Sequence, residues 1–171
     1  MQQLFETAKN LSLYSWFVYP FHQSSELLAF AAVEMALRLR HLKENPIDPS
    51  KSRKPLALYG LMQHAKKHKW ISNDRFTDTY ERAVSDARIC KKMRKIKIHD
   101  FDKCPLMPVD EPTGEEIMEA LKNSDRVGDI VNNANKIRNS LAHGSNLLNP
   151  RSISTLHTSA EVINQIYSTG Y

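Results

Sequence analysis

Cysteine, glycine and unbroken apolar runs are all scarce in this chain, and each scarcity narrows what it can be. Only Cys90 and Cys104 are present among 171 residues. A charged stretch separates them and neither belongs to a Cys-x-x-Cys pair, so a disulfide framework or a cysteine zinc site has no footing and both read as free thiols. Glycine numbers 5, apolar/polar alternation is nearly missing, and apolar residues recur at three- and four-residue spacing; helices are therefore favoured over strands. The apolar stretch from Leu11 to Val33 is interrupted by Ser12, Ser15, Pro20, His22, Gln23, Ser24, Ser25 and Glu26, which makes it too polar to cross a bilayer. Met1-Gln2-Gln3 carries neither a basic n-region nor a small-residue cleavage site, so no membrane attachment is expected and the cytoplasm is the expected location. Internal repeats and low-complexity tracts are also missing.

What is there fits an ordinary packed protein. Hydrophobic residues make up 41% and charged residues 25%, and this length suits one domain with its own core, expected over residues 1–171. The expected fold is all-α, a bundle of about six helices. Charge is uneven: residues 1–100 carry 18 Lys and Arg against 10 Asp and Glu, and residues 101–171 carry 6 against 9, giving halves of +8 and −3 and the whole-chain +5. The basic half invites a polyanion, because such a field raises the on-rate for nucleic acid without choosing a sequence.

Helix signals run the length of the chain. The first helix is expected from Gln2 to Tyr19, stopped by Pro20. A second, from Phe21 to about Glu44, carries Leu27, Leu28, Phe30, Ala31, Met35, Leu37 and Leu39 and reads as central and largely buried. Asn45 to Ser52 is dense in turn-formers. A shorter helix is expected over about Pro55 to His68, and Ser72-Asn73 offer caps for a long polar helix from Asp74 to about Ile98. Pro105, Pro108 and Pro112 mark a loop, after which Thr113-Gly114-Glu115-Glu116 matches a capping box. Ser124 is the expected cap of a helix through Val127, Ile130, Val131, Ala134, Ile137 and Leu141 that ends near Gly144. Pro150 opens the last helix, through Ile153, Leu156, Ala160, Ile163 and Ile166.

The segment Ile137-Arg138-Asn139-Ser140-Leu141-Ala142-His143-Gly144 carries the most chemistry. Ile137 and Leu141, four apart, can anchor one face and leave the polar residues pointing elsewhere. Arg138 and His143 differ by about 140° around an ideal helix, a gap the long arginine stem can close beside Gly144. Alone, an arginine and a histidine near a helix C-terminus most often cap carbonyls or complement the dipole. Together, a guanidinium that grips phosphate oxygens and an imidazole that titrates near neutrality suit attack of an RNA 2′-hydroxyl on the adjacent phosphorus, a reaction that needs no metal.

Arg138-Asn139-x-x-x-His143 resembles the Arg-x₄₋₆-His signature of the HEPN superfamily, including the polar residue directly after the arginine and a Leu-Ala-His-Gly ending. The specific likeness spans about ten residues. The resemblance implies a HEPN-like helical bundle with the motif helix placed late, a metal-independent endoribonuclease acting in host defence or as a toxin, and a homodimer whose two Arg-His pairs line one cleft. Arg138, His143 and Asn139 are then the catalytic set, with RNA as substrate and an antitoxin or defence-system protein as a further partner. The alternative within the same family is a non-catalytic module that binds RNA, a nucleotide or a protein. Ser145 stands where the toxin branch controlled by a partner nucleotidyltransferase has tyrosine, which argues against that regulation.

Four further groups need weighing. Glu34 and Arg38 are four apart on the second helix; they form an ordinary helix salt bridge or, facing the motif helix, a supporting pair that orients Arg138. Arg88, Lys91, Lys92, Arg94, Lys95 and Lys97 put six cations into ten residues, either a phosphate-binding track or a solvated helix end. His64 and His68 share a helix face at a spacing used for metals, but Lys66, Lys67 and Lys69 crowd them and no nearby carboxylate completes a set, so neither a metal nor a cofactor is expected. Trp16, Tyr19, Phe21, Phe30 and Trp70 read as core or interface aromatics.

Overall fold

A computed structural model describes residues 1–45, 56–98, 110–142 and 151–168. Among them the chain forms seven α-helices, one 3₁₀ turn and no strand: α1 Gln2–Tyr14, α2 Phe21–Glu44, α3 Leu58–Lys67, α4 Thr79–Ile98, α5 Gly114–Asn123, α6 Arg126–Ala142 and α7 Ser152–Ser168. The all-α class expected from the sequence is present, and the separate short helices expected near Pro55 to His68 and after Thr113 are α3 and α5, each of ten residues. The residues group into two compact units, Met1–Ser72 with Val127–Tyr171, and Asn73–Arg126.

In the larger unit α2 is the hub, packing against α1, α3 and α7. Four of its ten buried residues are small: Ser25, Ala29, Ala32 and Ala36 are fully covered, and Ala8, Ser12 and Ser15 are covered on or just after α1. Small side chains let helix axes approach closely. Serine fits only if its hydroxyl is bonded, and each is. Ser25 donates to the Ala8 carbonyl at 2.7 Å, and Ser15 to that of Ser12 at 2.5 Å. Ser152, fully buried in the first turn of α7, lies 2.8 Å from the Ser12 hydroxyl and 2.7 Å from Nδ1 of His22. Three residues further along α7, Thr155 donates to Oε2 of Glu26 at 3.2 Å. His22 and Glu26 are four apart on α2, and Ser152 and Thr155 three apart on α7, so the helical repeat lines up two polar contacts as a seam.

Several boundaries differ from expectation. Here α1 stops at Tyr14, with Ser15 as its C-cap, and the aromatic run beyond it is left on the surface: Trp16, Phe17 and Tyr19 are exposed, whereas Phe30 and Trp70 are buried. The polar helix starts at Thr79 because the Asn73–Arg75 turn precedes it, so Ser72 and Asn73 do not cap α4. Ser72 instead donates its N–H to the Gln165 side chain at 2.9 Å. Ser124 closes α5 with its N–H directed at the Leu121 carbonyl, and α6 opens two residues later. The capping box does form: Glu116 N–H donates to Thr113 Oγ1 at 3.3 Å and Thr113 N–H to Glu116 Oε2 at 2.8 Å. In the smaller unit α4 packs on α5, and the nearly buried Arg126 lies 4.1 Å from the centre of the Phe76 ring and pairs with Asp78. No described helix is long and apolar enough to cross a membrane.

The seam yields two predictions. Ser152→Ala strands the buried His22 nitrogen and the Ser12 hydroxyl, and should cost about 1–3 kcal/mol in urea unfolding. Burial pushes the Glu26 carboxyl above its ordinary value of 4.5, against the opposing pull of the Thr155 hydrogen bond and the Arg151 charge. A folded state that holds its proton more tightly than the unfolded chain loses stability as pH rises from that ordinary value through the raised one. Glu26→Gln should therefore flatten the decline in thermal stability above pH ~4.5 and be at least as stable as the parent at pH ~8. An unchanged slope in the variant would discard this account of Glu26.

Candidate functional site

Helix α6 places Arg138 by register. Val127, Val131 and Ala134 are buried, and Arg138 lies eleven residues after Val127, about 20° from it around an ideal helix. Arg138 thus continues the core-facing stripe at the point where the core runs out. Of the two residues expected to anchor the motif itself, Ile137 is half-buried, and the side chain of Leu141 lies outside the described residues.

Where the stripe ends, Arg138 meets α2. Its Nη2 stands 4.0 Å from Oε2 of Glu34, with side-chain exposures of 44% and 18% respectively. The other Glu34 oxygen is held by Arg38, whose Nη2 approaches to 2.8 Å and Nε to 3.3 Å. Arg38 also donates to the Leu56 carbonyl at 3.4 Å, just ahead of α3. Asn139 accepts from Arg138 Nη1 at 3.4 Å, a contact that steadies the guanidinium.

One half-buried carboxylate therefore stands between two guanidinia. The cluster keeps a net positive charge, and the two arginines are held differently. Arg38 is fixed by three hydrogen bonds, while Arg138 is exposed and touches its partners at long range. A guanidinium with donors to spare at the rim of a core is suited to a phosphate or carboxylate ligand, and the adjacent second cation strengthens the local field. His143 lies outside the described residues, so its distance from Arg138 is not part of this geometry.

The basic face of α4 is more committed than its sequence suggests. Arg88 pairs with Glu111, Lys91 with Glu116 at 3.0 Å and with the Glu111 carbonyl at 2.9 Å, and Lys95 with Asp110. These carboxyls respond: the Lys95 contact holds Asp110 below the usual range, and the Thr113 N–H, followed by Lys91, does the same for Glu116. Lys92 and Arg94 remain exposed, and the Lys97 side chain lies outside the described residues. Sequence reasoning missed this pairing, although the acidic signal was visible in Asp110-Glu111 and the capping-box Glu116. Exposed ion pairs of this kind are worth about 0–1 kcal/mol, so a polyanion can compete for the same cations.

No protein-family model, curated protein or solved structure matches this chain.

Proposed function

We propose that this chain is a metal-independent endoribonuclease of the HEPN type, acting as a homodimer, with Arg138 gathering the scissile phosphate and His143 moving protons. The observation that carries the reading is the exposed Arg138 guanidinium, set at the end of a buried stripe beside Glu34 and Arg38, within a segment resembling the HEPN signature. Two further features support it. The all-helical fold suits that family, and Lys92 and Arg94 leave cations open to an RNA backbone.

The chemistry follows from the two side-chain types. A neutral imidazole takes the proton of the 2′-hydroxyl as its oxygen attacks phosphorus. Negative charge gathers on the non-bridging oxygens, where a guanidinium fork binds it. The bond to the 5′-oxygen then breaks, and that oxygen takes a proton from a second histidine in its protonated imidazolium form, supplied by the other copy in a dimer. The products are a 2′,3′-cyclic phosphate and a free 5′-hydroxyl. Glu34 and Asn139 are positioning residues, and Arg38 keeps Glu34 in place.

End-labelled single-stranded RNA and tRNA, incubated with the chain in excess EDTA, provide the test. The parent should leave 2′,3′-cyclic or 3′-phosphate ends, with the rate falling about 10²–10⁴-fold in His143→Ala and about 10²–10³-fold in Arg138→Ala while both variants stay folded. RNA left intact by the parent across substrates and pH would remove catalysis, and salt-sensitive binding without turnover would assign the chain to the non-catalytic members. A separate expectation concerns α4. Replacing Lys92 and Arg94 with alanine should reduce the slope of log affinity against log salt for single-stranded RNA by about 0.7 for each phosphate that is no longer neutralised. The same change at Arg88 should have a smaller effect, because Glu111 already occupies that cation.

A further inference from the structure

The corner between α1 and α2 keeps its small residues inside and its large apolar ones outside. Ser12 and Ser15 are buried there, whereas Leu13, Tyr14, Trp16, Phe17, Val18 and Tyr19 are exposed, Trp16 by 74% and Phe17 by 86%. Ser15 donates its hydroxyl to the Ser12 carbonyl, and Ser12 lies 2.8 Å from the Ser152 hydroxyl. The helices thus meet here through side chains too short to make room for a ring. The backbone is tied as well. The N–H groups of Phe17 and Val18 both donate to the Tyr14 carbonyl, at 2.9 and 3.0 Å, and those of Phe21 and His22 donate to the carbonyls of Val18 and Tyr19, at 2.9 and 3.1 Å. Successive closed turns therefore carry the rings outward on a defined backbone.

The same stretch carries no formal charge. Residues 10–25 contain no Asp, Glu, Lys or Arg, in a chain where one residue in four is charged. Lys9, just ahead of it, is paired with Glu6 at 3.1 Å, and the next Lys or Arg along the chain is Arg38. Glu26, just after it, is buried, and Arg151, ahead of α7, acts on the Glu26 carboxyl. An exposed apolar patch of this extent marks a surface that another molecule covers. We infer that the 13–19 corner is a self-association surface, covered by the same corner of a second copy of this chain.

Area and charge both favour that occupant. An open aromatic side chain offers about 150–250 Å², so at their observed exposures the six residues present roughly 700–800 Å² together. Each partner in a standard protein interface contributes about 800 Å². A twofold contact sets a patch against its own image, so an unpaired charge near the axis meets its like. A charge-free patch escapes that repulsion, and ring can pack on ring. Tryptophan and tyrosine are also among the residue types that carry most of the energy at such contacts. A lipid surface is the less suited occupant. Helices that lie on membranes bear lysine and arginine beside their apolar face, and here the adjacent lysine is already held by Glu6.

This contact goes beyond the proposed RNA chemistry and is distinct from a shared Arg138 cleft, since Glu34 lies thirteen residues beyond Phe21, about 20 Å along α2. Two copies are expected if the corner alone joins them, and four if the cleft is shared as well. Light scattering of the untagged full chain reads that number. Trp16→Ser should weaken association at the corner by at least about 30-fold, and combined with Phe17→Ser it should halve the mass. Both side chains are on the surface, so Tm and far-UV circular dichroism should stay those of the parent. Emission gives a local readout, because the chain's two tryptophans are Trp16 and the buried Trp70. Diluting the parent until it dissociates should shift emission to the red as Trp16 is uncovered, and Phe17→Ser, which keeps Trp16, should show the shifted emission at every concentration. A parent that stays a single copy, a mass unchanged by the double substitution, or binding of phosphatidylcholine vesicles through Trp16 in place of a second copy would overturn the inference. RNA cleavage enters none of these readouts, so the inference stands or falls apart from the proposed chemistry.

Discussion

The larger unit depends on one constraint: a 24-residue helix, packed by three others, must bury polar atoms and match nearly every one. Closely packed alanine and serine bring α1, α2 and α7 together at short range, and short range is what allows a single hydroxyl, that of Ser152, to serve both Ser12 and His22. In a looser bundle these groups would need water or would go unpaired, at about the cost of a missing hydrogen bond each. The seam also sets register. Sliding α7 along α2 by one turn would break the His22 and Glu26 contacts together, so the polar pairs act as a ruler that an all-leucine interface would lack.

Much of this was legible beforehand, because it depends on local rules. The helical class, the central place of α2, the α5 capping box and the buried stripe of α6 all follow from spacing and from residues within a few positions of one another. The misjudged features depend on contacts made across the chain. Little near Tyr14 announces that α1 ends there, since apart from Ser15 the residues from Leu13 to Tyr19 remain apolar. The basic run on α4 looked free because its carboxylates come fifteen to twenty-five residues later. The helical phase from Val127, readable in the sequence, aims Arg138 at α2, where it stands near Glu34; the sequence offered Glu34 and Arg38 either as a pair facing the motif helix or as an ordinary salt bridge, and spacing alone could not choose between the two.

The packing of α3 on α2 bears on the arginine cluster. Arg38 is held between the Glu34 carboxylate and the Leu56 carbonyl, and Leu56 lies two residues before α3. If α3 shifted on α2, Arg38 would lose its second anchor and its grip on Glu34 would loosen. The freed carboxylate would then be available to close on Arg138, whose present 4.0 Å separation leaves its donors open. A salt bridge that tightens there would withdraw the guanidinium from any phosphate. The docking of α3 thus bears on how much of Arg138 is left for a ligand, through one carboxylate shared by two arginines.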